Sequence, residues 1–245
     1  MENKKPGEVS KFNNKILGII LARGGSKGIK QKNIVKLCGK PLIAWTINSA
    51  LKSKKLTDVI LSTDSTKIAK IGKKFGVEVP FIRPLKYAKD KSSSVEAIEH
   101  AIKWLKQRKK NYKFVTLLEP TSPLRDHKDI DQAILKIIKS RADSLVSVSK
   151  AETLNPAYLY KKSKSGKLIP FRHNKKKYIR RQDIDPFYFL DGSVYISKVS
   201  TLLKKKTFCH TNTLMYVVPK WKSIEIDDNL DLILARAIMQ NKRKI

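Results

Sequence analysis

A glycine-rich segment near the start of the chain has the composition of a phosphate-binding loop. The sequence LARGGSKGIKQKN occupies residues 21–33, and its three glycines permit close backbone approach and positive φ. Successive N–H groups in such a loop attract anionic oxygens. Full positive charges are added by Arg23, Lys27 and Lys32. The segment matches neither a Walker loop nor a dinucleotide fingerprint, so it predicts polyphosphate binding of another type. The alternative is a solvated basic turn.

The acidic segment SIEIDD, residues 223–228, is a second candidate site. In an extended chain Glu225 and Asp227 are two residues apart and point to the same side. Converging carboxylates suit Mg²⁺, which prefers oxygen ligands, keeps several waters and bridges to phosphates. The alternative is capping of the last helix by Asp227 or Asp228, with Asp231 in its first turn. Both hold together if Asp228 caps the helix while Asp227 reaches a metal.

Other charged residues lie where predicted strands end or within a polar stretch. Asp64 follows the second predicted strand, where it either faces the site or caps the next helix. Glu119 begins the turn EPTSPLR, and Arg125 ends it, either as a bidentate partner of a carboxylate or in a surface ion pair. Arg180, Arg181 and Gln182, within the polar stretch, form a candidate anion clamp. The four histidines are scattered and suggest no nucleophile or metal arrangement.

The formal net charge of +32 raises the question of nucleic-acid binding. Only 10 of the 53 basic residues are arginines, and the lysines are spread along the whole chain without interleaved aromatics. The composition therefore does not favour a dedicated nucleic-acid interface, and it favours a general attraction for anionic ligands. Two cysteines and the absence of a long apolar run or secretory signal predict a cytoplasmic protein without membrane segments.

Apolar runs alternate with amphipathic stretches over the first 150 residues. Strands are predicted at residues 16–22, 59–62, 77–81, 114–118 and 144–149, with helical patterns between them. This alternation predicts an α/β, Rossmann-like fold, in which helices cover both faces of a mainly parallel sheet. Ligands bind at the carboxyl ends of the strands in such folds. The glycine-rich segment follows the first strand and therefore lies at that edge.

The alternation stops at residues 150–186, which are polar and carry little periodic apolar pattern. We interpret them as an insertion, either an arm for a partner subunit or a flap over a site. Strands are predicted again at 188–197 and 214–218, and a last helix at 229–239 is predicted to turn Leu230, Leu234 and Ala237 inward. The predicted organisation is a disordered extension at residues 1–14 followed by one domain at residues 15–245.

Eight segments, in order, resemble the acylneuraminate cytidylyltransferases, which are the CMP-sialic acid synthetases and their relatives acting on legionaminic or pseudaminic acids. They are LARGGSKGIKQKN, GKPLIAWTI, STDS, RP followed by AKDKSSS, LLEPTSPLR, RRQ, DGSVYIS and SIEIDDNLDL. The resemblance implies a fold of the nucleotide-diphospho-sugar transferase type with an inserted dimerisation arm. It also implies Mg²⁺-dependent transfer of CMP from CTP to the anomeric hydroxyl of an acidic nine-carbon sugar. Pyrophosphate is the group that this reaction would release. The resemblance also implies that the protein is a homodimer and that it acts in cell-surface polysaccharide biosynthesis.

The resemblance further implies a role for each matching residue. The residues implied to hold the phosphates or lie beside the nucleotide are Arg23, Ser26, Lys27, Lys32 and Asn33. Those implied to contact the cytosine end are Arg83 and Ser94. Those implied to hold Mg²⁺ are Asp227 and Glu225, and those implied to be catalytic are Arg23, Lys32 and Asp227. Those implied to lie on the sugar side are Glu119, Arg181, Gln182 and Asp191, with Arg181 and Gln182 partly from the partner subunit.

Three carboxylates depart from the family pattern. Glu225 stands where Asp is frequent, Glu119 where Gln is frequent and Asp191 where Asn is frequent. A carboxylate at 119 or 191 repels the sugar's own carboxylate unless it bonds a hydroxyl or an amine. The sugar therefore stays open between sialic, legionaminic, pseudaminic and another 3-deoxy-ulosonic acid. Two other hypotheses also stay open: a nucleic-acid-binding protein, from the charge, and a binding protein that has lost its chemistry, from Glu225 and Asp191.

Overall fold

The computed structural model describes residues 14–26, 28–90, 92–152, 155–171, 180 and 185–241. Within them the strands are β1 (Ile16–Leu21), β2 (Lys36–Leu37), β3 (Lys40–Pro41), β4 (Asp58–Ser62), β5 (Phe114–Leu117), β6 (Ser144–Lys150), β7 (Tyr160–Lys162), β8 (Leu168–Pro170), β9 (Tyr188–Lys198) and β10 (Thr213–Val217). The α-helices are α1 (Leu42–Leu51), α2 (Thr66–Lys74), α3 (Ser94–Lys106), α4 (His127–Ile138), α5 (Val199–Lys205) and α6 (Asn229–Asn241).

Six of the strands form a central sheet in the order β10-β6-β9-β5-β1-β4. Strand β1 is parallel to β4 and β5, and β10 is parallel to β6. Strand β9 is antiparallel to both β5 and β6. The predicted mainly parallel α/β sheet is confirmed, and β9 is its exception. Because β9 pairs antiparallel with β6, the connection between them needs no crossover helix.

Helices cover both faces of this sheet, as predicted. All six residues of β1 are buried, and successive side chains enter opposite clusters. Ile16 and Ile20 pack with residues of α1, α2 and α4, whereas Leu17 and Ile19 pack with residues of α3 and α5. Burying each of these side chains stabilises the fold by about 1.5–3 kcal/mol. The continuous apolar run of β1 is therefore explained by a strand that is covered on both sides.

The predicted strand at residues 77–81 forms only part of a strand. Single parallel bridges join Ile60 to Glu78 and Thr63 to Ile82, outside any continuous ladder. Pro80 and Pro84 lie in this stretch, and proline has no N–H to donate to a neighbouring strand. The backbone N–H of Arg83 nevertheless donates to the Thr63 carbonyl at 2.7 Å. This contact fixes Arg83 beside the carboxyl end of β4.

The predicted orientation of the last helix was wrong. The structure buries Leu232 and Ala235 of α6 against a small cluster that includes Ile226, whereas Leu230 is 63% exposed and Leu234 is 43% exposed. Ala237 is also exposed. Apolar residues occur on almost every side of this helix, so their spacing does not define one inward face. Contacts with the preceding segment set its rotation instead.

Strands β7 and β8 form a hairpin within the predicted insertion, and among the described strands they pair only with each other. Apolar side chains of this hairpin are exposed, among them Leu168 at 74% and Tyr160 at 56%. Residues 153–154, 172–179 and 181–184 of the insertion lie outside the described residues, as does all of the predicted extension except Asn14. None of the helices in the described ranges is long and apolar enough to cross a membrane.

Candidate active site

The glycine-rich loop leaves β1 at the carboxyl edge of the sheet, and its own side chains fold it. The Ser26 hydroxyl donates to the Ile29 carbonyl at 2.5 Å and accepts from the backbone N–H of Lys32 at 3.0 Å. The buried Asn33 amide donates to the Arg23 carbonyl at 3.0 Å. Ser26 and Asn33 therefore shape the loop in this structure. Lys27 lies outside the described residues.

Two cations of the loop make ion pairs that are accessible to solvent. Arg23 Nη1 lies 2.5 Å from Asp90 Oδ1, with 34% of the arginine side chain exposed. Lys32 Nζ lies 2.7 Å from Asp227 Oδ1, and 74% of the aspartate side chain is exposed. Exposed pairs of this kind contribute about 0–1 kcal/mol. An anionic ligand therefore competes for Arg23 and Lys32 at little cost.

Asp64 ties the loop to the neighbouring strand. Its Oδ1 accepts a hydrogen bond from the Gly24 N–H at 2.9 Å and lies 3.8 Å from Arg83 Nη2. The cap of α2 is Ser65, whose hydroxyl accepts from the Ile68 N–H. The capping interpretation of Asp64 was therefore wrong, and the alternative of a site-facing carboxylate describes its position. The loop and Arg83 share one anionic anchor.

A cavity of about 260 Å³ brings together four residues singled out from the sequence, namely Arg23, Arg83, Ser94 and Glu119. Ser93 caps α3 with a reciprocal contact from Glu96, so the amino end of that helix borders the cavity. Sequence reasoning missed the other polar residues of this wall, including Tyr87, Lys89 and Asp90. The AKDKSSS segment, residues 88–94, was the signal that could have revealed Lys89 and Asp90, whereas Tyr87 lies just before it. We call this space the front cavity.

Arg83 is the most buried cation of the front cavity. It is 4% exposed, and its Nε has no hydrogen-bond partner in the described part of the chain. Burial lowers the pKa of Arg83, while the charges of Asp64 and Glu119 oppose that shift. A buried guanidinium with an unused N–H requires an acceptor. Because Arg83 also lines the cavity, it is a candidate contact for a ligand.

The acidic segment is held between the loop, β9 and the EPTSPLR turn. The backbone N–H of Ile226 donates to the Thr121 carbonyl at 2.8 Å. A Cβ atom at Gly28 would overlap the carbonyl oxygen of Asp227, and a Cβ atom at Gly192 would overlap the Glu225 carboxylate. Both glycines therefore allow an approach that any larger residue would block. The segment is fixed by backbone contact as well as by its charges.

Asp228 caps α6, as predicted. Its Oδ1 accepts from the N–H groups of Leu230 at 2.8 Å and Asp231 at 3.0 Å. Asp231 Oδ2 in turn accepts from the N–H groups of Asp227 and Asp228. The Asp227 carboxylate takes no part in this cap and contacts Lys32 instead. Within the described ranges no cluster of three or more His, Cys, Asp or Glu side chains has the arrangement of a metal site.

Carboxylates are crowded on the side of the cleft near β9. Burial, together with the charges of Asp191, Asp227 and Glu119, raises the pKa of Glu225 to about 7. Burial also raises the pKa of Glu119 to about 7, against the opposing charges of Arg125, Arg83 and Lys32. Asp191 is fully buried, and it accepts from the Ser193 N–H at 3.2 Å and the Ser193 hydroxyl at 2.7 Å. It acts on the site through its charge.

Arg125 fits neither of its two sequence interpretations. It is 3% exposed, and its Nη atoms donate to the carbonyls of Glu119 and Ser193 and to the Thr46 hydroxyl. It therefore holds the EPTSPLR turn against α1 and β9. Arg181 and Gln182 lie outside the described residues, and Arg180 is exposed.

Comparison with known proteins agrees with this fold and identifies a family. A family model described as Cytidylyltransferase matches residues 17–243. N-acylneuraminate cytidylyltransferase of Escherichia coli is 34% identical over 231 residues, which are 94% of this chain and 53% of that protein. This chain thus spans about half the length of that relative. Pseudaminic acid cytidylyltransferase of Campylobacter jejuni is 31% identical over 225 residues, which are 91% of this chain and 96% of that protein.

A solved structure shares the fold at low sequence identity. CMP:2-keto-3-deoxy-manno-octonic acid synthetase, complexed with CTP, superposes with a TM-score of 0.66 at 16% identity. The match covers 94% of this chain and 100% of that one. The family match over nearly the whole chain and the two relatives lead to one conclusion: this chain belongs to the cytidylyltransferase family.

Proposed function

We propose that this protein transfers CMP from CTP to the anomeric hydroxyl of a sialic-acid-like nonulosonic sugar and releases pyrophosphate in a Mg²⁺-dependent reaction. One observation carries the proposal. Arg23 of the glycine-rich loop and the buried Arg83 line one cavity at the carboxyl end of β1, and Lys32 of the same loop pairs with Asp227 of the acidic segment. This arrangement offers cations for a triphosphate, a donor for a base and carboxylates for a metal.

Arg23 and Lys32 are the groups that would meet the triphosphate. Both stand in exposed ion pairs, with Asp90 and Asp227, which a polyphosphate can replace. Substitution at the α-phosphorus needs positioning and neutralisation of charge more than covalent help from the protein. The two cations would neutralise the charge that grows on the departing pyrophosphate. The N–H groups of the loop would orient the phosphate oxygens.

Arg83 is placed to recognise the base. Its side chain is buried beside the loop, and its Nε–H is unpaired within the described residues. A carbonyl oxygen such as that of cytosine would satisfy this donor, and a base without an acceptor there would leave it buried and unpaired. An unpaired buried donor costs about 1–3 kcal/mol. Ser94 at the amino end of α3 would provide a further polar contact from the opposite wall.

The acidic segment fits a divalent cation. The Glu225 carboxylate experiences the charges of three other carboxylates, Asp191, Asp227 and Glu119, and Lys32 lies 2.7 Å from Asp227 in the position of a counter-ion. Asp227 and Glu225 would hold Mg²⁺, which supplies neutralisation of phosphate oxygens when it is bound. Asp228 keeps its separate role as the cap of α6.

The identity of the sugar and the homodimer are the parts of the proposal that go furthest beyond the contacts described above. The E. coli and C. jejuni relatives are named for different sugars at similar identity, so overall identity does not select one. The exposed apolar residues of the β7–β8 hairpin support the proposal of a homodimeric arm. In that homodimer Arg181 and Gln182 of the insertion would reach the sugar side of the partner's cleft.

The deciding experiment measures pyrophosphate release with CTP, Mg²⁺ and one acidic sugar at a time. The sugars are N-acetylneuraminic, legionaminic, pseudaminic and 3-deoxy-octulosonic acid. We expect release with one nine-carbon acid and no release when ATP replaces CTP. A protein that binds CTP but releases pyrophosphate with none of the four would have lost its chemistry. A protein that binds neither CTP nor sugar would contradict the proposal entirely.

A further inference from the structure

A second cavity borders the EPTSPLR turn, whose first residue, Glu119, lines the front cavity. It encloses about 330 Å³, and its walls come from α1, from the EPTSPLR turn where α4 begins, and from α6. The lining residues that matter here are Lys40, Trp45, Lys52, Arg125, His127 and Met239. We call it the rear cavity. Its volume is within the range of small-molecule sites, about 300–1,000 Å³.

The rear cavity has the charge of an anion site. Lys40, Lys52 and Arg125 are cations, and His127 becomes one on protonation. The only carboxylate among the lining residues is Asp126, and Lys222 Nζ already lies 3.1 Å from it. Asp126 also accepts the N–H groups of Lys128 and Asp129. The cations therefore outweigh the remaining negative charge, and an anion would be attracted.

Arg125 carries an unsatisfied donor in this wall. Its Nη atoms are used by Glu119, Ser193 and Thr46, but its Nε is buried without a hydrogen-bond partner in the described residues. The side chain is 3% exposed. A buried N–H of a charged group that lacks an acceptor is costly. The same feature in Arg83 marks the front cavity.

Trp45 gives the rear cavity a flat apolar side. The indole is half-buried, its Nε1 donates to the Leu37 carbonyl at 3.0 Å, and Lys40 Nζ lies 5.1 Å from the ring centroid. Met239 of α6 adds a second apolar surface. A ring against Trp45 and an anionic group toward Arg125 and Lys52 would use both the apolar and the cationic part of this lining.

We propose that the rear cavity binds a small organic anion, a ring that bears a carboxylate or a phosphate, and that its occupancy tunes the front cavity through Arg125. Arg125 holds the carbonyl of Glu119, whose residue lines the front cavity. The same turn holds the acidic segment through Thr121 and Ile226. The binding half stands without the proposed function, whereas the coupling half rests on it, because its readout is CTP binding.

The binding half is tested on the full-length protein by following the indole N–H signals of its three tryptophans. Trp45→Phe assigns the signal of Trp45. CMP, N-acetylneuraminate and inorganic phosphate are titrated separately, so that a phosphate source and a carboxylate source are distinguished. We expect CMP or N-acetylneuraminate to shift the Trp45 signal along a saturating curve. If no probe shifts it at millimolar concentrations, the site is disproved.

A charge reversal separates binding in the rear cavity from general attraction to a basic protein. Lys52→Glu should raise the dissociation constant of the probe about 5- to 10-fold, since one charge is reversed at the site. Lys54→Glu makes the same charge change nearby, at a residue that does not line the cavity. It should raise the dissociation constant of the probe less than about twofold. Equal weakening by the two variants overturns the site.

The coupling half is tested by repeating the titration at saturating CTP. Thermodynamic linkage requires that CTP change the affinity of the probe by the same factor by which the probe changes the affinity of CTP. We expect CTP to change the dissociation constant of the probe, and the probe to change that of CTP, by the same factor of at least about five. A probe that binds at Trp45 with an unchanged constant overturns the coupling, and failure of CTP itself to bind contradicts the proposed function instead.

Discussion

The glycine-rich loop and the β7–β8 hairpin are both irregular excursions from the same sheet, but they are held very differently. The loop is fixed by contacts within the chain: Asn33 with Arg23, Gly24 with Asp64 and Lys32 with Asp227. Within the described residues the strands of the hairpin pair only with each other, and Leu168 is exposed at 74%, Ile169 at 46% and the following Phe171 at 50%. The difference supports our proposal that a partner subunit completes the hairpin, whereas the loop is held by contacts within its own chain.

This contrast separates two kinds of residue in the proposed enzyme. Those around the loop should change binding or turnover without changing the assembly. Those of the hairpin should change the assembly first and turnover only as a consequence. Each prediction below tests one side of that division, from the largest expected effect to the smallest.

Asp227→Asn should lower kcat at least about a hundredfold, because it removes a proposed metal ligand and the counter-charge of Lys32. Its melting temperature should stay unchanged, since 74% of the side chain is exposed. Pyrophosphate release and calorimetry measure the two quantities. The control Asp228→Ala should do the reverse, because it removes the cap of α6. It should lose about 1 kcal/mol of stability and keep its turnover. Normal rates in Asp227→Asn would remove the metal from this position.

Leu168→Glu should raise the dissociation constant of the proposed homodimer about a hundredfold, because a charge replaces an apolar side chain at the expected contact. Sedimentation over a concentration series measures it. Lys164→Gln makes an equal change in net charge beside the Gly166 turn of the same hairpin and should leave the assembly intact. Wild-type protein that sediments as a monomer at all concentrations would contradict the arm as a dimer contact.

Asp64→Ala should weaken CTP binding about tenfold, since the Gly24 N–H loses its acceptor and Arg83 loses its neighbouring charge. Asp64→Asn keeps an acceptor for Gly24, so its loss should be only about two- to threefold. Calorimetric titration with CTP in the absence of sugar measures both. The control is Asp58→Asn on the same strand, whose carboxylate accepts from the Tyr112 hydroxyl. Equal CTP affinity in Asp64→Ala and wild type would show that Asp64 positions neither group.

Glu119→Gln should raise the melting temperature by about 2–6 °C at pH 8 and hardly change it at pH 4.5. Burial raises the pKa of Glu119 from 4.5 to about 7. Its contribution to stability is therefore complete below pH 4.5 and is lost as the pH rises through about 7, because the unfolded carboxyl ionises first. Gln does not ionise and avoids this loss. Thermal unfolding across this range measures the effect, and parallel curves for the two proteins would contradict the burial of the charge.

The sequence predicted correctly those features of the fold that depend on residues close together in the chain. The run of β1 is apolar at every position because both of its sides are covered, and the three- and four-residue spacing of α3 places Ile98 and Leu105 in the core. The capping of α6 by Asp228 also depends only on neighbours in the chain. The phosphate-loop composition indicated the edge of the sheet at which the front cavity lies.

Other features depend on contacts between distant residues, which spacing does not reveal. Ser65 and Asp64 are adjacent polar residues at the start of α2, and only the position of Gly24 decides which of them faces the loop. Arg125 is buried because Ser193 and Thr46 accept its hydrogen bonds, and both are far away in the sequence. The predicted orientation of α6 was wrong because the helix carries apolar residues on almost every side, so their spacing does not define one inward face. The antiparallel β9 had no signal of direction in its composition.

The close approaches at Gly28 and Gly192 also set a limit on how this sequence can vary. Each glycine touches the acidic segment where a single added carbon would collide with it, and Gly192 has a φ of +64° besides. In a library of random substitutions these two positions should stay glycine even where neighbouring loop residues change freely. A designer who wished to move Glu225 and Asp227 toward another cation or another sugar would therefore also have to rebuild the loop around Gly28 and the β9 backbone around Gly192.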